Sequence, residues 1–292
     1  MALAGSLAGL TIPFMRSRFP SLDELQGIVD MRPLRGFLAR TIDFGGIDAN
    51  IAKGRLSAVA LTATSYATGQ TVTFVHGDPN VTLWERVQRT ATHTQLTVDH
   101  VMASSSIPLV FPAVQIEGRY YGDGSVRQTT PLSPAVHLGA RRLLVIGMRP
   151  GWEPTNPPLE AGYPGTAKIM ALLFDSVFLD ALDADAERLE LINRLLADRP
   201  APPQGPLRQV QLLMLRPSRP LGDLAEGLKL ELPSPLNRLM RGLKDGGQGT
   251  QDFLSYLFFD PSYTNRAMEL GYEDTKKQWE KVEKFLAGEP PS

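Results

Sequence analysis

The sequence predicts an α/β fold in which a sheet is sandwiched between helices, and three observations predict it. Residues 56–64 alternate with a period of two and lead, across Thr68-Gly69, into a second β-prone run at 71–75. Residues 134–138 open with proline, close on Gly139, and are followed at once by the continuous apolar run Leu143-Leu-Val-Ile-Gly147. A long amphipathic stretch then precedes one more apolar run at 210–215. Strand, helix and buried strand in that order describe a sheet covered by helices.

The elements follow in order. Ser21 caps a helix over residues 22–29, and Pro33-Leu34 opens a second one through Leu38 that Asp43-Phe44-Gly45-Gly46 breaks. Leu56, Ala58, Ala60, Thr62 and Thr64 alternate with Ser57, Val59, Leu61 and Ala63, and the Gly-containing turn makes this run and 71–75 a hairpin. Helices are expected at 83–89 and 98–104, then two short strands turning at Gly118 within 115–121. Proline in the first turn and a capping glycine define the helix at 134–138. Leu143 to Gly147 has the unbroken apolarity of a strand covered on both faces. Pro154, Pro157 and Pro158 mark a loop before a helix at 166–198, whose stripe of Phe174, Phe178, Leu182, Leu189, Ile192 and Leu196 keeps one face inward. Residues 199–205 end it, and 210–215 adds a strand to the same sheet. The tail reads as helices at 252–259, at 263–270 capped by Gly271, and a charged last helix burying Trp279, Val282 and Phe285.

Bulk composition removes several function classes. The chain has 292 residues, 42% hydrophobic and 21% charged, the balance of a globular protein. With 0 Cys there is no disulfide framework, thiolate metal site or cysteine nucleophile. Lys+Arg 30 against Asp+Glu 31 leaves no bulk positive charge for a polyanion, so no nucleic-acid partner is expected. The apolar first residues have no preceding basic residue of a secretory signal, and no uncharged apolar run reaches the roughly 20 residues of a membrane span. The expected location is cytoplasmic, with peripheral membrane contact allowed.

Several local signals have ordinary structural readings. His93 and His100 lack a third ligand at close spacing, so no metal is expected. Asn80-Val-Thr82 is a surface turn, and Gly246-Gly247-Gln248-Gly249 is a linker without the Lys-Ser/Thr of a phosphate loop. Asp180, Asp183, Asp185 and Glu187 read as the solvated face of their helix. Ser104, Ser105 and Ser106 read as capping or turn residues. Neither they nor Ser6 have the flanking glycines of a Gly-x-Ser-x-Gly elbow, and no serine of the chain does.

Gly122-Asp123-Gly124 alone is a tight turn, but its surroundings are specific. Ala103-Ser-Ser-Ser-Ile-Pro108, Phe111-Pro112, Gly118-Arg-Tyr-Tyr-Gly-Asp-Gly-Ser125, Pro131-Leu-Ser-Pro-Ala135 and Leu138-Gly-Ala140 resemble, in order and spacing, the second half of the patatin-like phospholipase domain. Pro33-Leu34, Ala63-Thr64 and Thr68-Gly69 with Phe74 look like the family's middle portion. Leu215-Arg-Pro-Ser218 and Ser255-Tyr-Leu-Phe-Phe-Asp260 through Leu270-Gly-Tyr272 are similar to the C-terminal extension of bacterial members.

The resemblance implies helices on both faces of a mostly parallel sheet, with a patatin-like core over 1–149 and a mostly helical extension with one added strand over 150–292. It implies a serine lipid acyl hydrolase acting on a lipid or other ester, without metal or cofactor. Asp123 falls on the family's Asp-Gly motif with Gly124 and Ser125, and the family's aspartate is the general base of a Ser-Asp dyad. Such a carboxylate takes the serine proton directly, and the alkoxide attacks the ester carbonyl to form an acyl-enzyme that water cleaves.

The chain departs from the family at one place. The family's glycine-rich oxyanion loop and its Gly-x-Ser-x-Gly elbow precede the matching region, and neither is present here. The expectation is a patatin-like domain without its front, inactive on its own, with an unpaired sheet edge that favours self-association. A late start codon, gene decay or the way the chain was cut would each produce it. The alternatives are a non-catalytic lipid-binding or regulatory protein of the same fold, and a rearranged site in which another serine, such as one of Ser104 to Ser106, works with Asp123.

Overall fold

The computed structural model describes Gly27 and residues 29–151, 169, 172, 173, 176, 177, 180–198, 207–226, 228 and 261–288. Most of the helix expected over 22–29 lies outside them, as do 199–205, 252–259, the proline loop at 154–158, the linker at 246–249, Phe174 and Phe178; the described end of the first, Gly27 at φ 115° and Val29, is not helical.

Helix α1 (Arg32–Thr41) starts with proline in its first turn, as expected, and packs Leu34 and Leu38 with Met31, Met102, Val110 and Phe111. Asp43-Phe44 ends the pattern, but Gly45 and Gly46 do not break the chain. They open helix α2 (Gly45–Ala52), Gly46 donating to the Asp43 carbonyl. Strands β1 (Ala58–Ser65) and β2 (Thr71–Gly77) form the expected hairpin, in register from Ala58↔Gly77 to Thr64↔Thr71. Gly69 closes it at φ +65°, a left-handed conformation that costs glycine little.

The helix expected over 83–89 is not formed. The segment contains strand β3 (Glu85–Arg86), a turn with Gln88 at φ 62°, and then strand β4 (Arg89–His93), which pairs in parallel with β2. The ladder offered by β2 outweighs the weak local helical preference of a short polar run. Trp84 is buried there against the His137 ring.

Helix α3 (Val98–Ser104) has the expected bounds and a capping box between Thr97 and His100. Strands β5 (Val114–Ile116) and β6 (Arg119–Asp123) turn at Glu117-Gly118, both at positive φ. Helix α4 (Ser133–His137) ends at Gly139, φ +97°. Strand β7 (Arg142–Ile146), helix α5 (Asp180–Ala197), strand β8 (Gln211–Leu215) and helices α6 (Pro261–Lys277) and α7 (Trp279–Ala287) complete the described chain.

The class is α/β with C-terminal helices, and the strands fall into two sheets. Six form the order β3-β4-β2-β1-β6-β5, a mixed sheet in which β2–β4 is the parallel pair. The other two, β7 and β8, pair in parallel with each other. The 210–215 run is therefore a strand, but its ladder joins β7 and not the hairpin sheet. Phe74 centres the core between the larger sheet and α3, with its ring edge-on to His100 at 4.7 Å and Tyr121 at 5.3 Å, contacts worth about 0.5–1.5 kcal/mol each. A second core joins β7, β8, α4 and α5 through Leu132, Leu143, Ala186 and Val210.

Three more expectations are corrected. Among the described residues β7 is covered on one face only: Leu143 is buried while Leu144 and Ile146 are exposed. Helix α6 runs on through Gly271 to Lys277, because its buried Asp274 accepts the Ser218 N–H and draws another turn onto the body. Val282 and Phe285 are buried in α7 as expected, but Trp279 is 53% exposed. Among the described residues no helix is long and apolar enough to cross a membrane.

Candidate active site

Asp123 ends β6, and its backbone is fixed from three directions. Its residue lies opposite Ala63 of β1, its N–H donates to the Ser106 carbonyl at 2.8 Å, and its carbonyl accepts from the Thr64 hydroxyl at 2.8 Å. The side chain, 9% exposed, caps the short 3-10 turn at Gly124–Val126. Oδ1 accepts both the Ser125 N–H at 2.8 Å and the Ser125 hydroxyl at 2.7 Å. Oδ2 accepts no hydrogen bond among the described residues.

Burial pushes the Asp123 carboxyl above the ordinary aspartate range, and the two Ser125 donors offset part of that rise. A carboxylate held by one oxygen and made more basic by burial is suited to accept a proton at the other.

The flanking glycines make this geometry possible. A Cβ on Gly124 would collide with the Thr62 carbonyl oxygen, and one on Gly122 with the Tyr66 hydroxyl. The first obstacle is backbone and cannot move aside; the second is the end of a half-exposed side chain. Tyr66 was not legible as part of the site, yet its hydroxyl is raised by partial burial and by the nearby Asp123 charge.

Asp123 opens onto a cavity of about 400 Å³. Its polar wall is Thr62, Ser104, Asp123 and Ser125, and its apolar wall comes from Leu132, Val145, Ile146 and Leu182. Ser104 has the structural role expected of it, donating to the Thr62 carbonyl at 2.8 Å, while Ser105 and Ser106 donate back to α3 carbonyls. None of the three is hydrogen-bonded to the Asp123 carboxyl.

The reading of the α5 acids as a solvated face fails at Asp185. It is 7% exposed, and its Oδ2 accepts the Leu132 N–H at 2.9 Å, tying α5 to the loop that floors the cavity. Burial raises its carboxyl too, against the pull of Leu132 and Arg188. Asp180 and Asp183 pair with Arg149 and Arg216.

His93 and His100 do not converge. His93 faces the Val81 carbonyl, and His100 is spent in the α3 capping box. No group of three or more His, Asp or Glu residues that could hold a metal occurs among the described residues. A larger hollow of about 590 Å³ beside α6 is lined by Arg219, Asp223, Glu226, Arg266, Glu269 and Glu273, with Arg266 held by the carbonyls of Leu224 and Glu226.

Comparison with known families matches residues 12–136 to the patatin-like phospholipase model, a span that includes Asp123 and stops before β7. No curated protein matches the chain.

Proposed function

We propose that Asp123 is the general base of a Ser-Asp dyad that cleaves a lipid ester, a reading supported by the match of residues 12–136 to the patatin-like phospholipase model. The observation that carries this reading is the asymmetry of its carboxyl: Oδ1 is fixed by Ser125, and Oδ2 is unpaired beside the cavity. Oδ2 takes the proton of a serine hydroxyl as that oxygen attacks the ester carbonyl carbon. The alcohol leaves with a proton, and water then releases the acid from the acyl-serine.

The nucleophile belongs to a Gly-x-Ser-x-Gly turn that none of the 292 residues forms, so the chain by itself does not turn over esters. The test is the intact mass of the purified chain before and after a fluorophosphonate, which labels activated serines. The expected result is no adduct on this chain. A stoichiometric adduct lost in Asp123→Asn would place the nucleophile within these residues and overturn the reading of an external serine.

A further inference from the structure

The β3 edge of the larger sheet carries two arginines face to face. Arg86 of β3 stands directly opposite Arg89 of β4, and Arg89 opposite Thr71 of β2, so the three side chains share one face of the sheet. Like charges directly opposed across a ladder repel, and such a pair destabilises the sheet unless an anion answers it. No acid of the protein does so: among the described residues Arg86 and Arg89 form no ion pair. Arg86 donates to the Glu85 carbonyl beside it, and Arg89 to the Thr130 hydroxyl.

A third guanidinium and an imidazole complete the cluster. His137 ends α4 and stacks on Trp84, with ring centroids 4.8 Å apart and planes 15° from parallel, which brings α4 against the β3 edge. Arg208 reaches the same helix, donating to the Val136 carbonyl at 2.6 Å and the Ala140 carbonyl at 3.4 Å. It too has no carboxylate partner among the described residues. Partial burial, and then the charges of Arg86, Arg89 and Arg208, hold the His137 imidazole below the ordinary histidine value, so it is neutral at pH 7. Among the described residues two buried side-chain atoms lack a hydrogen-bond partner, Arg208 Nε and Thr71 Oγ1, and both belong to this cluster. A buried polar atom left unanswered by the protein marks the place of a bound water or ion.

We propose that Arg86, Arg89 and Arg208, beside His137, form a binding site for a phosphate group. Three guanidiniums with no carboxylate among them exceed what the single charge of a carboxylate answers, whereas a tetrahedral phosphate monoester carries two charges and offers a separate oxygen to each arginine. The approach is open, since Arg86 and His137 are exposed and Arg89 and Arg208 half-buried. None of the four lines the cavity at Asp123, so the site stands whether or not that carboxyl is a base.

The experiment titrates inorganic phosphate into the full chain at pH 7 and constant ionic strength by calorimetry, with acetate as the comparison anion, and follows the histidine ring protons by NMR. Phosphate binds saturably and more tightly than acetate, and it moves the His137 titration to higher pH. Arg86→Gln removes one of the opposed charges without touching the core and weakens binding about tenfold; Arg40→Gln, on the exposed side of α1, does not. A second arm floats the chain with phosphatidylcholine vesicles with and without phosphatidic acid. Flotation that requires phosphatidic acid and is lost in Arg86→Gln identifies the phosphate as that of a lipid headgroup; saturable binding of inorganic phosphate without flotation identifies it as free phosphate. No binding in either arm overturns the proposal. So do acetate binding as tightly as phosphate, equal losses in Arg86→Gln and Arg40→Gln, and a His137 titration unmoved while phosphate is bound.

Discussion

Asp123 and Asp185 are both aspartates sunk below the surface, both with carboxyls raised by burial. The fold uses them differently. Asp185 spends Oδ2 on the Leu132 N–H and turns Oδ1 toward Arg188, so its charge is answered by the protein. Asp123 spends Oδ1 on Ser125 and leaves Oδ2 beside open space. A buried carboxylate with both oxygens answered is a structural tie, whereas one with an unanswered oxygen at a cavity is available for chemistry.

Four substitutions or titrations sharpen that contrast. The largest effect falls on Asp123→Asn: in the presence of the Gly-x-Ser-x-Gly serine, acylation by fluorophosphonate slows by about 10²–10⁴-fold, the usual worth of a general base. Next is Asp185→Ala, which leaves the Leu132 N–H without its partner and lowers stability by about 1–3 kcal/mol in urea titration. Asp185→Asn keeps a carbonyl oxygen for that N–H and recovers most of the loss, while Asp123→Asn recovers no activity by the same logic.

Gly124→Ala comes third. Its methyl meets the Thr62 backbone, so about 1–3 kcal/mol of stability is lost and Asp123 is displaced; Gly122→Ala, opposed only by the Tyr66 side chain, loses less in the same thermal melts. The smallest effect is on pH dependence. Above the ordinary value of 3.8 the unfolded chain gives up these protons first, so each aspartate makes stability fall as pH rises until its folded form has ionised. Asp123→Asn removes its share of that fall, visible as a flatter profile of melting temperature against pH.

The strands and helices with strong local signals were legible in the sequence. The β1–β2 hairpin announced itself by period-two alternation and Thr68-Gly69, and α4 by proline and Gly139. What escaped was decided by partners distant in sequence. Residues 83–93 became strands because β2 offered an edge, and Asp185 became buried because Leu132 needed an acceptor. Asp123, Gly124 and Ser125 stood out as a motif, but the division of labour between Oδ1 and Oδ2 is a matter of rotamer and neighbours. Tyr66 lies across the sheet from that motif, contributed by the β1–β2 connection, and no spacing rule links them.

The position of Tyr66 gives the molecule a built-in optical indicator. Its phenol feels the Asp123 charge while remaining half-exposed to solvent and base. The ultraviolet absorbance of tyrosinate therefore reports on a carboxyl that has no chromophore of its own. Neutralising Asp123, by substitution or by a ligand that carries its proton, shifts the Tyr66 absorbance titration toward lower pH, so occupancy of the site is readable without turnover or label.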